Sequence, residues 1–248
     1  PPPQPIIETL VVRETIQAPP EQVIKVVTPT PEPGGPRTLT ICSNWPPDTL
    51  FIHGTLTVAA GKIWSMIYDG PIDENSFGYQ PVILEKLPNL ADGDAIITPV
   101  VVGEGDTVVD AGGVIVTLDP AADPPLMLIP AGGGDAIAYQ GGEFEMDQLS
   151  ATFQLLPNLT WSDGTPLTAA DSVYNFNLLE EPDFGGRDWW LHTSAYEAAD
   201  ERTLVWTGLP GFMDGFYYLN FFEPLPEHVW GKYSPSELFK ADEAALTP

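Results

Sequence analysis

The sequence predicts a mixed fold of strands and short helices in which strands dominate. Apolar and polar residues alternate in several segments, most clearly over residues 148–156, and a period of two is typical of half-buried strands. Glycine and proline punctuate the chain at short intervals, which favours turns over long helices. Apolar residues make up 43% of the 248 residues, so the chain can bury a sizeable core.

The chain is strongly acidic. Nine Lys and Arg stand against 35 Asp and Glu, which gives a formal net charge of -26. A surface of this sign repels the phosphates of nucleic acids and the headgroups of anionic lipids, so we expect neither as a partner. No run of apolar residues approaches the roughly 18 that a membrane-spanning helix needs.

Residues 1–37 differ from the rest, because they carry clusters of proline mixed with Thr, Val and Glu. Proline fixes φ and removes an amide donor, so this segment is predicted to be an extended linker before a globular part at 38–248. A disordered N-terminus without a role is the alternative. The chain starts at Pro1 and shows no signal peptide, so we expect a processed product whose export signal has been removed.

The globular part alternates strands with short helices. A helix is predicted to begin at Thr168 as its N-cap and to run to about Leu179, with Asp171 in the acid position of a capping box. The turn before it is predicted at Asp163 and Gly164. The other predicted elements are strands at 38–42, 148–156 and 201–206, a hairpin at 106–118, and helices at 58–68, 227–230 and 235–245.

The sequence carries no pattern typical of a metal or cofactor site. Its histidines, His53, His192 and His228, are widely separated, and Cys42 is its single cysteine, so we predict no metal ligands and no disulfide. Cys42 is interpreted as a small buried hydrophobic residue. The glycine-rich stretch 132–135 lacks the Lys and Ser or Thr of a phosphate-binding loop, and we predict no cofactor.

Catalytic patterns are also missing. Serine-nucleophile motifs do not occur, and among many carboxylates only Asp163 and Asp171 suggest a general acid and base. Each of them already has a structural use, because Asp before Gly is a turn residue and an acid in the first helical turn caps the helix. We therefore predict no catalytic residue.

One segment resembles a known family. Residues 161–176, WSDGTPLTAADSVYNF, are similar to the motif of the family 5 extracellular solute-binding proteins, which are the oligopeptide, dipeptide and nickel binders of ABC importers. Shorter stretches agree with the family in order, among them PDTL at 47–50, IYDG at 67–70 and PLPEH at 224–228. The motif residues in register are Trp161, Asp163, Gly164, Pro166, Leu167, Thr168, Ala169, Asp171, Val173 and Tyr174.

Two features depart from the family. The glycine-rich stretch at 119–145 is longer than in common members, and family members run to roughly twice this length. The resemblance implies an α/β fold of the periplasmic-binding-protein type, in the three-domain type II variant of family 5, here as an N-terminal fragment lacking the second lobe. Residues 38–61 with 193–248 are expected to form domain I, and 62–192 a small, strand-rich domain II.

The resemblance also implies a function. The chain is expected to be the substrate-binding component of an ABC importer, which captures peptides or similar small solutes and delivers them to the transmembrane permease subunits. It is not expected to be an enzyme. Its expected place is the periplasm or the outer face of the cytoplasmic membrane, as a monomer that is attached only through an N-terminal lipid anchor.

Five residues are predicted to face the solute. Ser43, Asn44 and Trp45 follow the first strand, and Thr57 precedes the first helix; all four are chosen for their loop positions. Tyr174 lies on the capped helix and belongs to the motif itself. Tyr and Trp suit a cleft that encloses a solute, because they combine a large apolar ring with a polar atom.

Two other functions stay open at this stage. One is an exported, acidic glycoside-hydrolase-like enzyme that uses paired carboxylates. The other is a surface or sensor module that has the same fold but does not take part in transport.

Overall fold

A four-stranded antiparallel sheet carries most of the core of this chain. The computed structural model describes residues 51–53, 57–67, 70–75, 77–179 and 190–240. The helices are α1 Val58–Ile67, α2 Ala169–Leu179, α3 Glu227–Trp230 and α4 Pro235–Leu238, and short 3-10 turns lie at Trp190–His192 and Tyr217–Leu219. The strands are β1 Ile72–Asn75, β2 Gly78–Pro81, β3 Ala95–Val102, β4 Thr107–Val109, β5 Ile115–Thr117, β6 Met127–Leu128, β7 Ile137–Ala138, β8 Phe144–Gln154, β9 Thr193–Ala198 and β10 Thr203–Gly208.

The order of strands in the main sheet is β3, β8, β10, β9, and every neighbouring pair is antiparallel. Strand β8 is the long central element, and its register places Ala151 opposite Ala95 on one side and Trp206 on the other. Leu149, Ala151 and Phe153 alternate with polar residues and are buried against one face of the sheet. Side chains two residues apart in a strand share a face, so the predicted alternation at 148–156 is confirmed.

In the first half of β8, the buried face is the one opposite to Leu149, Ala151 and Phe153. Met146 is fully buried, and it is an odd number of residues from Leu149, so the two side chains point to opposite sides of the sheet. Met146 packs in a separate cluster with Val108, Leu118 and Leu128 from the small hairpins β4–β5 and β6–β7. Strand β8 therefore joins two apolar clusters that lie on its two faces.

Helix α2 also lies between two apolar clusters. Phe176 and Leu179 pack into the core of the main sheet, together with Trp206. Leu178 packs instead with a second cluster that contains Phe51, Leu225, Trp230 and Leu238. The two faces of the helix thus fix it against the sheet and against the segment that follows β10.

Most predicted elements are present with small shifts of their ends. The hairpin at 106–118 is confirmed, and the carboxylate of Asp110 accepts backbone hydrogen bonds from Gly112 and Val114 in its turn. The helix predicted at 235–245 ends at Leu238 within the described residues. The linker at 1–37 and the strand at 38–42 lie outside the described residues. No helix of the described ranges is long and apolar enough to cross a membrane.

The main sheet combines strands from both predicted domains. Strands β3 and β8 fall in the range 62–192 that was assigned to domain II, whereas β9 and β10 fall in 193–248, assigned to domain I. The assignment of domains stays a prediction, and its boundary runs through a single hydrogen-bonded sheet.

Gly211 provides a test of how β8 meets the segment after β10. Its φ is +84°, and an added Cβ would overlap the carbonyl oxygen of Val109 and lie 2.7 Å from Met146. We expect Gly211→Ala to lower the free energy of unfolding by about 3 kcal/mol, from backbone strain and overpacking together. Urea unfolding measures this.

Gly215→Ala is the matched control, since a Cβ at Gly215 would meet nothing within 4 Å. It should shift the unfolding midpoint little. Equal effects of the two substitutions would contradict the close approach at Gly211.

Candidate functional site

The motif at 161–176 begins with a tight turn. The carbonyl oxygen of Trp161 accepts a hydrogen bond from Gly164, whose φ of +88° suits glycine, and Thr165 donates its N–H to the Asp163 carboxylate at 2.8 Å. This bond from Thr165 lowers the pKa of Asp163, and contact with His228 at 3.1 Å acts in the same direction. The turn predicted from the Asp-Gly pair is confirmed.

Asp171 is a buried carboxylate at the start of α2, with only 6% of its surface exposed. It accepts the backbone N–H of Thr168 at 2.8 Å, which is the acid half of the predicted capping box, and the indole N–H of Trp161 at 3.4 Å. The backbone N–H of Glu227 also bonds to it. Burial raises the pKa of Asp171, and these hydrogen bonds oppose the shift.

Two more polar side chains of α2 are buried within the next turn. The Ser172 hydroxyl donates to the carbonyl oxygen of Phe222 and lies 2.7 Å from the hydroxyl of Tyr196. The Asn175 amide donates to the carbonyl oxygen of Glu223 at 2.7 Å. Since β10 ends at Gly208, these bonds attach a later, extended segment, 222–227, to the helix.

Tyr174, the solute contact predicted from the motif, lies on α2 and packs against the second cluster, beside Phe51 and Trp230. Its hydroxyl oxygen is buried and has no hydrogen-bond partner among the described residues. Burial, and then the nearby Glu227 carboxylate, raises the pKa of Tyr174 to about 12. A neutral, buried and unpaired hydroxyl is a group that can bind a polar atom of a ligand.

The other predicted contacts fall in different places. Ser43, Asn44 and Trp45 lie outside the described residues. Thr57 directly precedes α1, where its hydroxyl accepts the N–H of Ala60 at 3.2 Å, as an N-cap residue does.

Residues 51–53 contact the helix that carries Tyr174. His53 lies 2.9 Å from the side-chain oxygen of Asn175, and Phe51 belongs to the cluster around Tyr174. Residues 51–53 therefore lie beside the residues that surround Tyr174.

Asp163 and Asp171 have structural roles in this arrangement. Asp163 is exposed and bonds its own turn, whereas Asp171 is enclosed by the three N–H groups that it accepts. The hydrogen bonds of both carboxylates are those that a turn and a helix cap require. The structural interpretation made from the sequence therefore agrees with the geometry.

The three histidines lie in three different environments. His53 faces Asn175, His228 faces Asp163, and the ring of His192 stacks on Phe212 at 4.3 Å. Within the described ranges, no group of three or more His, Cys, Asp or Glu side chains is placed to hold a metal ion.

A further cleft was not predicted as a site. It has a volume of about 470 Å³ and is open to solvent, and its lining residues are Tyr79, Asp214, Phe216, Leu219 and Asn220. The sequence signal that pointed to it is the aromatic stretch at 211–222. The hairpin β1–β2 contributes Tyr79, which is far away in sequence, so the cleft could not be assembled from local patterns.

Comparison with known proteins bears on the motif segment. Residues 136–246 match the sequence model of the bacterial extracellular solute-binding proteins, family 5 Middle. The match covers less than half of the chain, and it shows that this segment is similar to the family 5 solute-binding proteins. The match contains β8, the motif, α2 and the 222–227 segment, and it confirms the α/β, strand-rich fold of the periplasmic-binding-protein type for this part of the chain.

Several solved structures are similar to parts of the chain. The oligopeptide-binding protein of Thermus thermophilus, complexed with a pentapeptide, is 16% identical over 71% of this chain, with a TM-score of 0.47. The oligopeptide-binding protein AppA of Bacillus subtilis, with a nonapeptide, is 13% identical over 75% of it, with a TM-score of 0.46. A periplasmic oligopeptide-binding protein of Thermotoga maritima is 26% identical over 37%, with a TM-score of 0.32.

The aligned part of this chain spans a minor share of each of these structures, namely 23%, 27% and 18% of their chains. No curated protein matches the chain. The family assignment therefore rests on the match of residues 136–246.

The buried bonds of Ser172 can be tested by substitution. Ser172→Ala leaves the carbonyl oxygen of Phe222 and the hydroxyl of Tyr196 with one partner fewer inside the core, so we expect a loss of about 1–3 kcal/mol in the free energy of unfolding. Tyr196→Phe should also lower the free energy of unfolding. Because both residues belong to one network, the double variant should lose less than the sum of the single losses, which urea unfolding resolves; strict additivity would contradict the network.

Asp171 gives a test that depends on pH. Its raised pKa means that the proton is held more tightly in the folded state, so its contribution to stability is full below its ordinary value of 3.8 and is lost as pH rises through the folded-state pKa. The melting temperature of the parent, relative to that of Asp171→Asn, should therefore fall as pH increases from about 3 to about 6.

Asp163→Asn is the control with the opposite sign. The pKa of Asp163 is lowered by the hydrogen bond from Thr165, so its contribution is present above 3.8 and is lost as pH falls through the folded-state pKa. The melting temperature of the parent, relative to that of Asp163→Asn, should therefore rise as pH increases. Parallel slopes for the two variants would be inconsistent with the different environments of these carboxylates.

Proposed function

We propose that this chain is part of the substrate-binding component of an ABC importer, and that it captures peptides or similar small solutes and presents them to the permease. The observation that supports this most is the family 5 match over 136–246, which contains the whole motif and α2. Because the motif resembles that of oligopeptide and dipeptide binders, peptides are the first solutes to test.

We assign the solute contacts to Tyr174, Thr57 and the 43–45 stretch. The unpaired, buried hydroxyl of Tyr174 supports its part in this assignment, because a buried hydroxyl gains from a polar partner. Catalysis is not part of the proposal, since Asp163 and Asp171 are engaged by their own turn and cap.

The domain assignment is also a proposal. The contact of Phe51 with Leu225, Trp230 and Leu238 supports the grouping of 38–61 with 193–248 as domain I, and Leu178 joins this cluster from the range 62–192. The range 62–192 as domain II includes the small hairpins around Met146. Export to the periplasm or the outer face of the cytoplasmic membrane, an N-terminal lipid anchor and action as a monomer complete the proposed role.

Peptide capture can be tested directly. The complete substrate-binding component that contains this chain is incubated with an equimolar pool of short peptides, separated from free peptide by rapid gel filtration and analysed by native mass spectrometry. We expect one peptide per chain, released intact on denaturation. Absence of retained peptide would refute peptide capture, and recovery of cleaved peptide or glycan products would favour the enzyme instead.

Tyr174→Phe tests the proposed contact. It keeps the ring in the second cluster and removes the hydroxyl, so we expect peptide affinity to fall about fivefold, the effect of one hydrogen bond, without loss of thermal stability. Tyr233→Phe is the matched control, because Tyr233 packs against the same cluster and is not a proposed contact. Equal affinities of the Tyr174 variant and the parent would exclude the hydroxyl from the site.

A further inference from the structure

We propose that the cleft between the β1–β2 hairpin and the 214–220 segment binds the cationic side chain of an arginine or a lysine. The residues that form it are different from those of the proposed solute contacts, so the inference goes beyond the proposed function and does not depend on it. At about 470 Å³ the cleft is within the range of roughly 300–1,000 Å³ that is typical of small-molecule sites.

The aromatic lining provides one half of the recognition. The ring centroids of Tyr79 and Tyr218 are 5.9 Å apart, with an angle of 59° between the ring planes. Those of Phe216 and Tyr218 are 6.1 Å apart, with an angle of 60°. Tyr79, which lines the cleft, is exposed. Phe216 is 57% exposed although it is large and apolar. A cation within about 6 Å of such a ring face is attracted by its electron density.

Other contacts hold these rings in place. The hydroxyl of Tyr217 accepts the backbone N–H of Leu90 at 3.1 Å, and the ring of Tyr217 meets that of Tyr218 edge-on at 5.8 Å. The aromatic group is therefore attached to the loop before β3 as well as to its own segment. A lining that is already ordered loses little conformational entropy when a ligand binds.

The carboxylate of Asp214 provides the other half of the recognition. It accepts the N–H of Phe216 at 2.8 Å and the side-chain amide of Asn220 at 3.1 Å. Both donors are neutral, and a carboxylate has about four acceptor positions, so its charge is not neutralised and it can accept further bonds.

The basic side chains that form ion pairs in the described ranges are engaged elsewhere. Lys86 pairs with Asp92 and Asp94, and Arg202 pairs with Glu85. No ion pair involves Asp214 in the described part of the chain.

The hairpin adds a second acid beside the rings. Glu74 is the direct cross-strand partner of Tyr79, and side chains at paired positions of an antiparallel ladder lie on the same face. Glu74 is exposed. An exposed carboxylate next to Tyr79 favours a guanidinium or ammonium group over an apolar or anionic one. The acidic, aromatic cleft thus selects for positive charge.

The test uses two probes of nearly equal shape, Nα-acetyl-arginine amide and its neutral analogue Nα-acetyl-citrulline amide. Binding to the isotope-labelled protein is followed by NMR through the backbone amide of Gly215 and the side-chain amide of Asn220. We expect shifts at both positions and a Kd for the arginine probe about tenfold lower than for the citrulline probe. Equal Kd values for the two probes would overturn the proposal.

Three variants locate the effect. Asp214→Asn keeps the shape and an acceptor for the turn, and should weaken the arginine probe about tenfold. Phe216→Leu keeps an apolar lining without a ring face and should weaken it about threefold. Asp110→Asn is the charge-matched control, because Asp110 also accepts two turn hydrogen bonds but lies outside the cleft. If Asp110→Asn weakened binding as much as Asp214→Asn, attraction to the acidic surface in general would replace the cleft as the explanation.

Discussion

Three polar side chains of α2 bond to one extended segment, and the rest of the described fold is arranged around this attachment. Asp171, Ser172 and Asn175 are the buried polar side chains of the described core, and each has a bond to 222–227. An unpaired group in such a place costs about 1–3 kcal/mol, so each of these bonds favours the attached arrangement. They bring α3 and the second apolar cluster to the helix. The main structural role of the motif is therefore to attach residues 222–227 to α2, and its second role is to position Tyr174.

The sequence predicted the parts of this arrangement that depend on neighbours in the chain. The Asp163–Gly164 turn and the Asp171 cap each need only a few consecutive residues, and both are present as expected. Docking of 222–227 could not be predicted, because it pairs Ser172 with Phe222 across 50 residues. Period and propensity contain no information about such a distant partner.

Strand β8 and the cleft are two further cases in which contacts between distant residues could not be predicted from the sequence. The alternation at 148–156 identified a strand, but it did not reveal that Met146 uses the opposite face, since a partner on that face comes from distant hairpins. The aromatic stretch at 211–222 was visible in the sequence, yet Tyr79 and Asp214 meet only in the fold. Of the predicted solute contacts, Tyr174 has a buried hydroxyl without a partner among the described residues, and Thr57 caps α1; their contact with a solute stays a prediction.

The two-sided burial of β8 has an evolutionary consequence. Residues 103–143 pack on the face that carries Met146, whereas Leu149, Ala151 and Phe153 support the helix from the other face. Insertions and deletions in the glycine-rich loops of 103–143 are therefore expected to leave the packing of the motif helix in place. The same strand separates these hairpins from that helix, so a change in loop length meets the sheet before it meets the motif.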